Sequence, residues 1–233
     1  MATPYALVYH EKTTSTQDEA RRLLGRHSML VVAGGQTVGR GRSGAAWENA
    51  PHALAASLAF RPNWPPDTWP RLTMVAGVAA TRVLGDRVNL KWPNDLMRDG
   101  AKLGGILTEV TGAVAVIGLG LNLHWPDPPT GRGAVFEEAP ASSTAIEMAQ
   151  AWTEQILGIV VDGPERWPLD EYRARCRTIG REITWKPDGR GLVTGIDATG
   201  ALEVTTADGA TTLGAGAVHE VRPLPGSGGA SGA

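Results

Sequence analysis

Apolar positions along this chain alternate between a spacing of two and a spacing near 3.6, which predicts interleaved strands and helices. Leu7 to Tyr9 reads as a short strand. Ser15 and Thr16 open a helix, with Asp18 and Glu19 in capping-box positions. Ala20, Leu23 and Leu24 form its apolar stripe, and Gly25 is placed to end it in the left-handed conformation. Leu30 to Ala33 and Ala53 to Phe60 read as strands. Pro70 fits the first turn of a core-facing helix marked by Leu72, Val75, Ala76, Ala79 and Val83 and closed by Gly85. Val88 to Lys91, Leu103 to Val110 and Ala113 to Leu121 are apolar strand-like runs, the last two joined by a hairpin at Thr111-Gly112. Thr144 and Glu147 cap a further helix, with Ile146, Ala149, Trp152, Ile156 and Leu157 facing inward. A last helix runs from about Pro168 to Thr178 and stops near Gly180.

After Gly180 the texture changes. Short strand-like pieces (Ile183 to Trp185, Leu192 to Ile196, Leu202 to Thr205, Val218 to Val221) alternate with the turn dipeptides Asp188-Gly189, Thr199-Gly200 and Asp208-Gly209. This pattern predicts a small antiparallel barrel of roughly forty residues, too small to be stable without docking on the larger part. The expected organisation is a main domain over residues 1–180, a small β domain over 181–223 and a disordered tail over 224–233.

Composition changes the picture by exclusion. The 233 residues suffice for one catalytic core and a small extra domain. A net charge of -2 provides no basic field for nucleic acid. The single cysteine, Cys176, excludes a disulfide framework and a cysteine-cluster metal site, and its helical spacing with Leu169 and Tyr172 suits a packed core thiol. The histidines His10, His27, His52, His124 and His219 lack ligand spacing. No apolar run reaches membrane-spanning length and no basic-then-apolar leader opens the chain, so a cytoplasmic location is expected.

The candidate chemistry lies in three short segments: GRGRSGAAW at Gly39 to Trp47, KWPNDL at Lys91 to Leu96, and KLGGIL at Lys102 to Leu107. Gly39, Gly41 and Gly44 match G-x-G-x-x-G, but Pro51 and the strand-like Ala53 to Phe60 follow where a dinucleotide-binding helix would have to run. A Rossmann site is therefore excluded. The loop reads either as a surface turn or as an anion trap, and Arg40 and Arg42 between glycines favour the trap. Asn94-Asp95 after Pro93 reads either as a turn or as an acidic site group. Ser15 and Thr16 have the simpler reading of helix caps, and Trp47 that of a packing residue.

As a set, in this order, the segments resemble the biotin protein ligases. Ser15-Thr16-Gln17, Gln36 before the glycine loop, GLGLNL at Gly118 to Leu123 and GAVHEVRP at Gly216 to Pro223 extend the resemblance over nearly the whole chain. Two positions depart from the family pattern. Ala45 stands where the family usually has arginine, and Gln17 where it has asparagine. The resemblance implies an α+β fold: a mixed sheet flanked by helices in a class II synthetase-like catalytic domain, plus a small C-terminal SH3-like β-barrel.

It also implies a two-step reaction. Biotin carboxylate attacks the α-phosphorus of ATP, and a lysine of a biotin carboxyl carrier protein then takes the biotinyl group from biotinyl-AMP. Lys102, Asp95 and Arg42 are implied as catalytic residues. Biotin contacts are implied for Ser15, Thr16, Gln17, Gln36, Arg40, Gly41, Arg42, Lys102 and Gly104. ATP contacts are implied for Arg40, Arg42, Trp47, Lys91, Asn94, Lys102 and Asn122. Mg²⁺ would arrive on the phosphates, with no protein metal ligands. Lys102, Arg40 and Arg42 offset the repulsion between two approaching anions, and Asp95 serves the amine that attacks in the second step.

Two other classes resemble this one. A lipoate or octanoate transferase shares the fold, and a biotin-ligating repressor adds an N-terminal winged helix. The two arginines and KWPND favour biotin. The catalytic pattern begins almost at Met1, which leaves no room for a winged helix, so neither nucleic acid nor membrane is an expected partner and a monomer or homodimer is expected.

Overall fold

The computed structural model describes residues 5–45, 47–48, 50–215 and 222–223. Its centre is a seven-stranded sheet in the order β1-β2-β3-β7-β6-β5-β4. The strands are β1 (Tyr5–His10), β2 (Ser28–Ala33), β3 (His52–Phe60), β4 (Asn89–Lys91), β5 (Asp95–Arg98), β6 (Ala101–Thr111) and β7 (Val114–His124). Only the β1–β2 pair is parallel, connected through helix α1 (Thr16–Leu23), so the sheet is mixed and the fold is α+β.

The two faces of the sheet are built from different residues. Leu30, Val32, Leu54, Leu58, Ile106, Ile117, Leu119 and Leu121 join the large core shared with α2 (Leu72–Leu84) and α3 (Ser142–Val161). The other face carries small residues. Ala20 of α1 packs there on Val31, Ala59 and Val116, all fully buried. Small side chains let the helix lie close to the strands.

Several predicted boundaries move. Leu24, extended, ends α1, and Gly25 does not adopt positive φ, so no left-handed cap forms there. Ser15 does cap α1, accepting from Asp18 N–H at 3.4 Å. Pro70 lies in a 3-10 turn (Pro66–Arg71) ahead of α2 rather than in its first turn. Gly85 ends α2 at φ 86 as expected. Thr144 and Glu147 do not cap α3. The helix starts earlier at Ser142, so Thr144 is already inside its first turn and donates to Ala141 O. Helix α4 (Leu169–Arg175) ends at extended Cys176, short of Thr178, with Tyr172 and Cys176 buried. Strand β5 was hidden because KWPNDL reads as a turn, and its last residues pair as a strand with β6.

The C-terminal strands β8 (Glu182–Trp185), β9 (Gly189–Ile196), β10 (Leu202–Thr206), β11 (Gly209–Leu213) and β12 (Arg222–Pro223) form an open five-stranded sheet, β11-β10-β9-β8-β12. Strand β11 was missed because its Gly-Ala-Thr-Thr stretch is almost wholly exposed and carries no apolar alternation. The expected strand Val218 to Val221 and the tail 224–233 lie outside the described residues. Ile183, Val193, Ile196, Leu202 and Val204 are buried in the same core as α2 and α3. Indole N–H groups stitch this core together: Trp152 donates to Ala76 O, Trp92 to Gly200 O and Trp167 to Ala198 O, each at 3.0 Å. A buried indole needs such a partner, and the last two bonds tie the C-terminal sheet to the main one. Among the described residues no helix is long and apolar enough to cross a membrane.

Candidate functional site

The small-residue face of the sheet becomes a cleft by a graded change along β7. Three rows of cross-strand neighbours are set by the register. The first, Met29, Ala59, Val116 and Glu109, lies at the level of α1. In the second, Val31, Ser57, Gly118 and Leu107, a side chain on Gly118 would sit 3.2 Å from Gln17. In the third, Ala33, Ala55, Gly120 and Gly105, a Cβ on Gly120 would come within 2.7 Å of the Trp47 indole. Losing side chains in this order leaves a trough, lined also by Ser15, Thr16 and Gln17 at the start of α1 and by Arg40, Gly41, Arg42, Ala45 and Trp47. The cavity measures ≈ 250 Å³.

At one end, Thr16 N–H and hydroxyl both donate to Gln36 Oε1, at 2.8 and 3.0 Å, and the hydroxyl also meets Ser57 Oγ at 2.8 Å. Gln17 donates to Leu107 O at 3.1 Å, while its buried Oε1 meets no donor among the described residues. This end is a cluster of neutral hydrogen-bonding groups, suited to a polar uncharged ligand part.

In the middle, β4 and β5 form a tight hairpin whose register sets Lys91 opposite Asp95. Asp95 is ion-paired to Lys102 Nζ and lies 3.8 Å from Lys91 Nζ. Asn94 locks the hairpin to β6: its amide donates to Ile106 O and its carbonyl accepts from Ile106 N–H, both at 2.9 Å. Arg42 is half-buried and donates to Ala215 O of the C-terminal segment. Burial lowers its guanidinium pKa, and the charge of Asp95 opposes that shift. It remains a cation, as arginine does in proteins.

Arg40 is held differently. It makes a two-pronged pair with Asp18, at 2.8 and 2.7 Å, and lies 3.6 Å from Glu109. Its hydrogen bonds raise its pKa and lower that of Asp18. At the far end, Asn122 donates to Gly133 O at 2.9 Å, and its buried Oδ1 meets no donor among the described residues.

Of the sequence-predicted positions, Ser15, Thr16, Gln17, Gln36, Arg40, Gly41, Arg42, Trp47, Asn94, Asp95, Lys102 and Asn122 all line this one cleft. Gly104 does not. Its absent Cβ points at Gly120 O, 2.3 Å away, so glycine there serves strand packing, and Gly105 lines the cleft instead. Lys91 is not among the residues lining the cleft and lies beside it through its ion pair with Asp95. Sequence reasoning missed Ser57, Trp125 and Arg132. Ser57 was readable as the lone hydroxyl in an apolar strand, and Gly131-Arg132-Gly133 as a second Gly-Arg-Gly.

The chain is similar to proteins of known activity. Residues 8–122 match a family described as the biotin/lipoate A/B protein ligase family. The biotin–(acetyl-CoA-carboxylase) ligase of Paracoccus denitrificans is 33% identical over 221 residues, covering 82% of this chain and 90% of its own length. The Bacillus subtilis bifunctional ligase/repressor BirA is 36% identical over 131 residues, 51% of this chain, and the chain spans only 40% of that relative's length. Among solved structures, the biotin protein ligase from Aquifex aeolicus in complex with biotin and ATP superposes with a TM-score of 0.77. It is 19% identical and covers 94% of this chain and 99% of its own. At that identity the likeness shows the fold.

Proposed function

This chain belongs to the biotin–(acetyl-CoA-carboxylase) ligase family, and from that premise we propose that it activates biotin with ATP to biotinyl-5'-AMP, releasing pyrophosphate, then transfers biotin to a lysine of a biotin carboxyl carrier protein. The observation that supports this most is the single cleft joining a neutral polar end (Thr16, Gln36, Ser57) to a charged middle (Lys102, Asp95, Arg42). A ligand with an uncharged polar head and a carboxylate tail fits that order of groups.

In the first step a biotin carboxylate oxygen forms the new bond to the α-phosphorus, and the bond to the β-phosphate oxygen breaks. Negative charge gathers where Lys102 and Arg42 face the cleft, and cations positioned there lower the barrier. Mg²⁺ enters with the phosphates as part of the substrate. In the second step the neutral acceptor amine attacks the acyl carbon, AMP leaves, and the amine's proton passes to the carboxylate side of the site. Asp95 takes that role in this reading, supported by its position between Lys102 and Lys91.

The same reading makes residues 1–180 the catalytic unit and 181–223 an SH3-like barrel whose open sheet docks on it through Trp92 and Trp167. The deciding experiment supplies ATP with biotin, lipoate or octanoate and measures pyrophosphate release. Release with biotin alone supports the proposal, and release with lipoate or octanoate in its place rejects it.

A further inference from the structure

Arg132 stands apart from the other cations of the cleft. Arg40 is held by Asp18 and Glu109, Lys102 by Asp95, and Arg42 donates to a backbone carbonyl. Arg132 lines the cleft and meets no carboxylate among the described residues. Its backbone, however, is pinned. Lys102 N–H donates to Gly131 O at 2.9 Å and Gly133 N–H donates to Lys102 O at 3.0 Å, so Arg132 and Lys102 are partners in a parallel bridge. Asn122 holds Gly133 O, and Arg98 donates to Val135 O at 3.0 Å.

A guanidinium on a fastened backbone, with no carboxylate partner among the described residues, is preorganised for an anion, because binding one breaks no ion pair there. Position narrows the choice. Along β7 the polar end lies at Gly118 and the Arg132 segment at Asn122. Four residues of strand separate them by roughly 13 Å, with the Lys102–Asp95 pair beside Gly105 between. A carboxylate at Lys102 leaves Arg132 on the side away from the acid's body.

We infer that Arg132 grips the β- and γ-phosphates of the nucleotide and holds pyrophosphate as it leaves, an inference that rests on the function proposed above. The reaction itself is unchanged: the bond between the α-phosphorus and the bridging oxygen breaks, and the leaving oxygen's charge passes to a group already facing Arg132.

The test measures binding of α,β-methylene-ATP, with and without biotin, to the wild type, Arg132→Ala and Arg132→Lys. Biotin affinity and unfolding midpoint are measured alongside. The alanine variant should bind the nucleotide at least about tenfold more weakly, the loss of one hydrogen bond to a charged group. Its biotin affinity and midpoint should not change. Lysine should restore part of the loss, since it keeps the charge without the fork. Equal nucleotide affinity in wild type and Arg132→Ala overturns the inference, as does a matching loss of biotin affinity. If the wild type binds nucleotide through Arg132 but releases no pyrophosphate with biotin, the phosphate site stands and the proposed reaction falls.

Discussion

Lys102 and Asp95 neutralise one another in the described state, so each does its proposed work only when a ligand divides the pair. An incoming carboxylate or phosphate competes with Asp95 for Lys102. Lys102→Ala should lower biotin-dependent pyrophosphate release by about 10²–10³, the usual effect of removing one charge-stabilising donor. Near-normal release from the folded variant would remove Lys102 from the chemistry. Asp95→Ala should slow single-turnover transfer from preformed adenylate by about 10²-fold or more, as expected for a lost proton acceptor. An unchanged transfer rate would reduce Asp95 to a turn residue. Arg40 belongs to a different class. Its pair with Asp18 fastens the glycine loop to α1. Because Arg40 depresses the Asp18 pKa, the pair's contribution is complete above the ordinary aspartate value of about 3.9 and fades only as pH falls through the lower folded value. The loop should therefore be equally protected at pH 5 and pH 8. Asp18→Asn should reduce amide-exchange protection at Gly41 and Trp47, whose N–H groups bond Ala45 O and Gly39 O, at both pH values. Protection equal to wild type in the variant would show that the pair does not hold the loop.

The central elements were legible because burial and period agreed: β3, β6, β7 and α2 show their burial directly as apolar positions. Elements whose residues answer to a neighbour were not. Strand β5 carries Asp95 and pairs mainly to hold it, and exposed β11 has no apolar face. In the same way the cleft's floor is written in glycines, which carry no hydropathy signal, and its depth emerges only once register sets Gly105 beside Gly120. That floor has a testable consequence. A Cβ at Gly120 would overlap the Trp47 indole at 2.7 Å, and Val would add two more methyl groups to the trough. Gly120→Val should keep the fold, since what it crowds is the Trp47 side chain over the trough and not strand backbone, so the indole has to move aside. It should also weaken ligand binding by about tenfold or more, as the trough is filled. Titration calorimetry with biotin checks this, and undiminished affinity would show that the ligand does not use the trough.

At the scale of the whole molecule, the site depends on both sheets. Arg42 reaches the C-terminal segment at Ala215, and the turn at residues 197–201 receives Trp92 and Trp167 from the main part. The change in texture after Gly180 was plain in the sequence. The shared core was not, because it rests on long-range contacts of Met74, Trp92 and Trp167, which periodicity does not report. Gly200 concentrates that dependence. It adopts φ 87, and a Cβ there would lie 2.3 Å from Met74 Sδ of α2. Gly200→Ala combines a left-handed alanine with overpacking of a buried thioether, together about 2–4 kcal/mol. For a chain of this size each kcal/mol shifts the midpoint by roughly 2–4 °C. If the two sheets share one core, calorimetry should show a single transition that moves down as a whole by about 5–15 °C. Pyrophosphate release should fall at the same temperature, because Arg42 loses its support when the docking fails. Two separate transitions, with only one displaced by the substitution, would show that the sheets unfold independently and that the site does not depend on their contact.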